Sequence, residues 1–251
     1  MDETKLRLHA PNLEYFWCGD YLIREYTIVE ELSRLDFVAV YFEPEGKDRF
    51  VPLEDLNIVE EEREEYLRRA TSVVKAVCCA SKLRLNAWML LAAFEPHVVL
   101  DQHLQFHNLK YLEVNTWLSR DCVFAIIELM RISPKIENCF LHIIEDSVSE
   151  QLLNCDEGIF TSANVVSEEG QWFPKQCILN HLKVIEIHNV IGCMNEFKVL
   201  EIILKNAIIL EKMIIWTSAK MSTDRKEGLI NFSKAPLRIP RATLNIAILF
   251  Y

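Results

Sequence analysis

The sequence predicts an α/β fold in which a parallel sheet curves round with helices along its outer side. The first observation behind this is a short apolar pattern, Φ-x-x-Φ-x-Φ, that occurs twice between His181 and Trp216: Leu182, Ile185 and Ile187, then Leu210, Met213 and Ile215. The last two apolar positions of each copy are two apart, so they fall on one side of an extended strand. The second observation is the stretch between the copies. There Phe197, Leu200, Leu204 and Ile208 recur near the helical period, Asn195 offers a cap, and Glu196, Lys198, Glu201 and Lys205 interrupt the apolar face with charge. The third is that the same pattern recurs upstream, as it must if one unit cannot bury its apolar side without a neighbour.

Upstream, Leu109, Leu112 and Val114 match the pattern, and so do Ile136, Cys139 and Leu141. Between them runs a helical stretch that Asp121 can cap and that ends at Pro134. Leu83 with Leu85, Leu13 with Phe16, and Leu32, Leu35 and Phe37 are looser copies. The two copies near the C-terminus lie about 28 residues apart, the spacing at which leucine-rich repeats stack. The predicted architecture is therefore a leucine-rich-repeat solenoid, an irregular horseshoe with a parallel sheet on the concave side and helices outside.

Taken in order, Lys5 to Phe42 reads as three short strands, ending in the β-branched and aromatic LDFVAVYF. Glu43 to Asp55, with Pro44, Gly46 and Pro52, reads as an exposed loop. Val59 to Cys79 reads as a helix whose acidic first turns and later Arg68, Arg69 and Lys75 suit the helix dipole, and its charges as a solvated face. Strands follow at Leu83 to Leu85, Leu109 to Asn115 and Ile136 to Ile143. From Ile144 to Gln171 the sequence turns polar and the repeat period is lost. After the second C-terminal copy, Thr217 to Ala235 reads as a polar connection and Ala242 to Phe250 as an apolar closing strand.

Composition narrows the function. The chain has 251 residues, 51% hydrophobic and 25% charged, which suits a soluble globular protein with a sizeable core. Six glycines are few for a fold built on phosphate-binding loops. A formal charge of −10 and a pI near 5.3 argue against a nucleic-acid partner, whose phosphates call for clustered Lys and Arg. No signal peptide follows Met1, and charges break the longest apolar stretch, so the expectation is a cytoplasmic or nuclear protein, not secreted and without a membrane partner. Eight cysteines (Cys18, Cys78, Cys79, Cys122, Cys139, Cys155, Cys177 and Cys193) form no C-x-x-C pair and read as small buried hydrophobes.

Three stretches carry a family resemblance: APNLEYF from Ala10 to Phe16, the stretch from Phe173 to Trp216 with its HLKVIEI, LKNA and LEKM, and IPRATLNIAILF from Ile239 to Phe250. Here the chain resembles the C-terminal part of plant F-box proteins in which leucine-rich repeats precede an FBD domain. The resemblance implies a leucine-rich-repeat region at 1–150, an inserted polar loop at 151–172 and an FBD-like domain at 173–251 that continues the solenoid. It also implies a non-catalytic protein-interaction module, similar to the substrate-recognition part of an SCF-type ubiquitin ligase, whose target protein the sequence leaves unnamed. In that family an F-box binds a Skp1-type adaptor. The residues before Leu6 hold no such module, so the expectation is either a fragment or truncated product, or a free-standing repeat scaffold with no ligase link. A Skp1-type adaptor is expected as a partner only if an F-box lies upstream.

The pattern also assigns a partner-binding face. Residues between the apolar positions of each strand point away from the core, onto the concave surface. These are Tyr111, Glu113 and Asn115; Asn138, Phe140 and His142; Val184, Glu186 and His188; and Lys212, Ile214 and Trp216. Aromatic groups on such a surface suit protein binding. Catalytic and metal readings find little footing, and no cofactor is expected. His103 and His107 have the i,i+4 spacing of a metal pair, but no third ligand clusters with them and they read as surface or packing residues. Thr161 and Ser162 lack a nucleophile elbow, and no serine has an evident His and acid partner.

Overall fold

The computed structural model describes residues 5–21, 25–28, 32, 34–43, 60–94, 104–144, 179–218, 229–230, 232–234, 236 and 238–251. The expected loop at 44–55, the inserted loop at 151–172, and His103, Thr161, Ser162, Cys155 and Cys177 lie outside them. In chain order the elements are β1 (Lys5–Leu8), β2 (Tyr15–Tyr21), β3 (Glu25–Ile28), β4 (Phe37–Glu43), α1 (Glu60–Ala76), β5 (Lys82–Asn86), α2 (Ala87–Phe94), β6 (Tyr111–Thr116), α3 (Arg120–Arg131), β7 (Asn138–Ile143), β8 (Val184–Val190), α4 (Met194–Asn206), β9 (Lys212–Thr217) and β10 (Ala247–Phe250).

Eight strands form one open parallel sheet in the order β10-β9-β8-β7-β6-β5-β4-β2. Each strand lies beside the preceding one of the sheet, so chain order and spatial order coincide. The apolar triplets align in register: Leu83 opposite Leu112, Leu112 opposite Cys139, Cys139 opposite Ile185, and Ile185 opposite Met213. Strands β6 and β7 bury every second residue. Leu109, Ile136, Leu182 and Leu210, the first residue of each triplet, are buried as well. A backbone ladder fixes the strand starts: Lys82 N–H donates to Asp36 O, Lys110 to Ser81, Glu137 to Lys110, Lys183 to Glu137, Glu211 to Lys183 and Ala247 to Glu211, each at 2.8–3.0 Å.

The buried side chains of helices α1 to α4 join those of the strands in one core. Helix α2, which the sequence reading did not foresee, packs against α1 and α3. All eight of its residues are buried, so it has no polar face and no helical period to detect. Trp88 of this helix meets Trp117 edge to face at 5.4 Å.

Several local expectations are corrected. The first 43 residues hold four strands rather than three, and β1 pairs with β3 in a separate two-stranded parallel sheet. In β4 the triplet is Leu35, Val38 and Val40, all buried, three residues further on than the expected Leu32, Leu35 and Phe37; the odd shift turns Phe37 to the opposite face. Ser119, not Asp121, caps α3, its Oγ accepting from Cys122 N–H at 3.2 Å. Asn195 lies inside α4, whose cap is Cys193. Ile208 follows the end of α4 and is exposed. Leu229 and Phe232 are buried within the stretch read as a polar connection, and the closing strand is confined to Ala247–Phe250. Of the cysteines, Cys122, Cys139 and Cys193 are buried and Cys18, Cys78 and Cys79 partly so. No described helix is long and apolar enough to cross a membrane.

Glu196, expected only as a charge that interrupts the apolar face of α4, has a definite place in the structure. It is buried, and its carboxylate accepts from the backbone N–H groups of Ile191, Gly192 and Cys193 at 2.9, 2.6 and 2.8 Å. The loop from β8 to α4, with Gly192 at φ 84°, closes around it. Burial raises its pKa to about 7, outweighing the pull of the three N–H groups toward the ionised form.

Two outcomes follow. Truncating Leu112 or Ile185 to Ala removes a buried side chain from mid-sheet and should cost about 2–5 kcal/mol in chemical unfolding. Because the folded pKa of Glu196 lies above its ordinary 4.5, its contribution is full below pH 4.5 and is lost as pH rises toward about 7. Unfolding of the parent chain should therefore show a decline over that window that Glu196→Gln lacks, with Glu196→Gln less stable throughout.

Candidate protein-recognition face

The sheet has one face toward the core and helices and one without a described helix. Register sorts the residues of this second face into rows. One row runs Tyr15, Phe37, Lys82, Tyr111, Asn138, Val184, Lys212, Ala247. The next runs Trp17, Ala39, Arg84, Glu113, Phe140, Glu186, Ile214, Leu249. A third includes Asn86, Asn115, His142 and His188. All twelve residues assigned from the sequence, namely Tyr111, Glu113, Asn115, Asn138, Phe140, His142, Val184, Glu186, His188, Lys212, Ile214 and Trp216, fall on this one face. The two-residue period of a strand leaves them no other side once the triplets are buried.

Rings stack across the strands. Tyr111 lies on Phe140 at 4.6 Å and 23°. His142 lies on His188 at 4.6 Å, His188 beside Trp216 at 5.8 Å, and Trp216 on Tyr251 at 4.4 Å, with interplanar angles of 13–27°. These separations follow the strand spacing of about 4.8 Å, so one ring per strand stacks on the next. Tyr251 is 58% and Trp216 39% exposed at one edge; Trp17 at 69% and Tyr15 at 66% are exposed at the other. Beside Trp17, a Cβ on Gly19 would come within 3.0 Å of the indole, so glycine there lets the ring lie along its own strand.

Charges form a network between the rings. Arg84 Nη2 donates to Glu113 Oε2 at 2.6 Å while the guanidinium carbon sits 5.8 Å from the Phe37 ring centre. Glu113 Oε1 lies 3.5 Å from His142 Nε2, and Glu186 Oε2 lies 3.3 Å from His188 Nε2. Burial lowers the pKa of His142, the neighbouring His188 lowers it further, and Glu113 partly restores it. Burial, with Glu113 nearby, raises the Tyr111 phenol.

Arg84, Phe37, Tyr15, Trp17 and Tyr251 belong to this face but were not assigned from the sequence. Arg84 had a signal, since it stands between the two apolar residues Leu83 and Leu85. Phe37 was hidden by the three-residue shift of the triplet in β4. Tyr251 becomes part of the stack only through the pairing of β10 with β9.

No described group of three His, Cys, Asp or Glu side chains could hold a metal ion, and His107 is an exposed turn residue. What the face offers is ring edges, amides and paired charges. The sign of the His142 shift is testable by NMR titration: its imidazole should titrate below the ordinary histidine range, and Glu113→Gln should lower it further.

Residues 172–215, which include β8, α4 and most of β9, match the FBD family. The chain is 25% identical over 222 residues to an F-box/FBD/LRR-repeat protein of Arabidopsis thaliana. The match covers 86% of this chain but only 41% of that relative, so the chain spans about two fifths of the relative's length. The resemblance drawn from the sequence is thus shown: the chain carries an FBD domain and is similar, across most of its length, to a plant protein that joins an F-box, leucine-rich repeats and an FBD domain.

Proposed function

We propose that this protein is a non-catalytic recognition module, a leucine-rich-repeat solenoid continued by an FBD unit at 173–251, that holds a target protein on the face of its sheet that carries no described helix. The observation that carries this reading is the run of stacked rings from His142 to Tyr251, of which Trp216 and Tyr251 are exposed on that face. Aromatic groups held by their neighbours lose little freedom on binding and serve well as interface anchors. Further support comes from the in-register parallel strands, whose order in the sheet follows their order in the chain, as in stacked repeats. The name of the Arabidopsis relative joins an F-box to leucine-rich repeats and an FBD domain, which supports a ubiquitin-ligase setting where the module would select the substrate and itself make and break no bonds. The acidic composition speaks against nucleic acid as the target.

The test is affinity purification with mass spectrometry, comparing the parent chain with Trp216→Ala and Tyr251→Ala on the face and Lys205→Ala on the exposed side of α4. A defined set of proteins should be retained by the parent and by Lys205→Ala and lost from both face variants. Equal retention by all four would overturn the reading. In the same format, purified Skp1-type adaptor should not be held, because no stretch of these residues resembles the F-box that binds it; stable retention would refute that part.

A further inference from the structure

The sheet face that carries no described helix contains one arginine, phenylalanine and carboxylate arrangement that is complete within the chain, and a second that lacks its arginine. In the first, Arg84 on β5 lies between Phe37 on β4 and Glu113 on β6, its guanidinium over the ring and its Nη2 on the carboxylate. In the second, Phe140 on β7 and Glu186 on β8 are register partners on the same face. Phe140 stacks on Tyr111 of β6, which leaves its other side turned toward β8. Among the described residues Glu186 pairs with no arginine or lysine; its ion-pair partner is the His188 imidazole, charged only when protonated. Ile214, its register partner on β9, brings no charge. The Glu186 side chain is 23% exposed, within reach of a group arriving from solvent.

We propose that Phe140 and Glu186 receive an arginine side chain from a bound protein segment, in the role that Arg84 fills inside the chain. This deepens the recognition reading above and rests on it. Arginine fits better than lysine because a planar guanidinium can stack on the ring and present two N–H groups to the carboxylate at once, whereas an ammonium is a compact, strongly hydrated point charge. Charge favours a basic segment too. An acidic one would bring its carboxylates toward Glu186 and Glu113, in a chain of net charge −10. The His188, Trp216 and Tyr251 rings next to Glu186 then meet the apolar residues flanking the arginine.

A random-peptide library displayed on phage, selected against the purified chain, tests this. Enriched peptides should share an arginine, and changing it to lysine should weaken binding about tenfold or more. Glu186→Gln, Phe140→Leu and Trp216→Ala should each weaken binding comparably while Lys205→Ala does not, with thermal unfolding of Glu186→Gln unchanged to show that the fold is intact. Absence of any enriched peptide overturns the proposal. Arginine-free peptides that Trp216→Ala still releases overturn the arginine assignment and leave the face as the recognition surface. Peptides indifferent to both Glu186→Gln and Trp216→Ala overturn the face reading as well.

Discussion

Parallel, in-register backbone pairing of each strand with the one before it is the constraint on which the rest of the molecule depends. The ladder of N–H to O contacts that runs through Asp36, Ser81, Lys110, Glu137, Lys183 and Glu211 sets where each strand begins. Once the starts are level, the second and third apolar residues of every triplet meet their counterparts, and the core becomes continuous across the sheet. A slip of one residue anywhere would turn a strand's apolar side outward. The stacked rings are a by-product of the same pairing, since they meet only because His142 and His188 are opposite one another.

Side chains reinforce the ladder at equivalent places. Lys82 reaches Asp36 at 3.0 Å and Lys183 reaches Glu137 at 3.1 Å, each joining the start of one strand to the start of its neighbour. Exposed pairs of this kind contribute little individually, about 0–1 kcal/mol. At the other ends of the strands, Asn86 donates to Phe42 O at 3.1 Å and Asn189 to Ile143 O at 2.9 Å. These amides satisfy carbonyls that a strand leaves open where it turns away, and the Asn86 bond is buried, where an unmet acceptor is most costly. Glu196 does the converse for the loop that follows β8, accepting from its backbone N–H groups.

Much of this fold could be read from residue spacing because its organising signal is local. Leu182, Ile185 and Ile187 announce a half-buried strand by themselves, and every strand from β5 to β9 was placed that way. What failed were features whose cause lies elsewhere in the chain. Helix α2 is apolar on all sides because α1 and α3 cover it, and only tertiary packing reveals that. Asn195 has the chemistry of a cap, yet the helix starts earlier because Glu196 satisfies the N–H groups of the preceding loop, a role that depends on burial. Phe37 was placed on the wrong face because LDFVAVYF is apolar at nearly every position, so alternation gives no guide. On the outer face of the sheet, the twelve assigned positions followed from the period alone. The Arg84 contacts with Phe37 and Glu113, and the closing Tyr251, required knowing which strands are neighbours.

The alternation of β6 and β7, one residue inward and the next outward, divides the chain's positions into two classes that answer to different demands. Substitutions at Leu112, Val114, Cys139 or Leu141 are judged by the volume they leave in the core, whatever the molecule binds. Substitutions at Glu113, Phe140 or His142 act on the ion pairs and stacked rings of the outer face and leave the core volume as it was. In the recognition role proposed for it, a scaffold of this kind could change its clientele over generations without relearning how to fold.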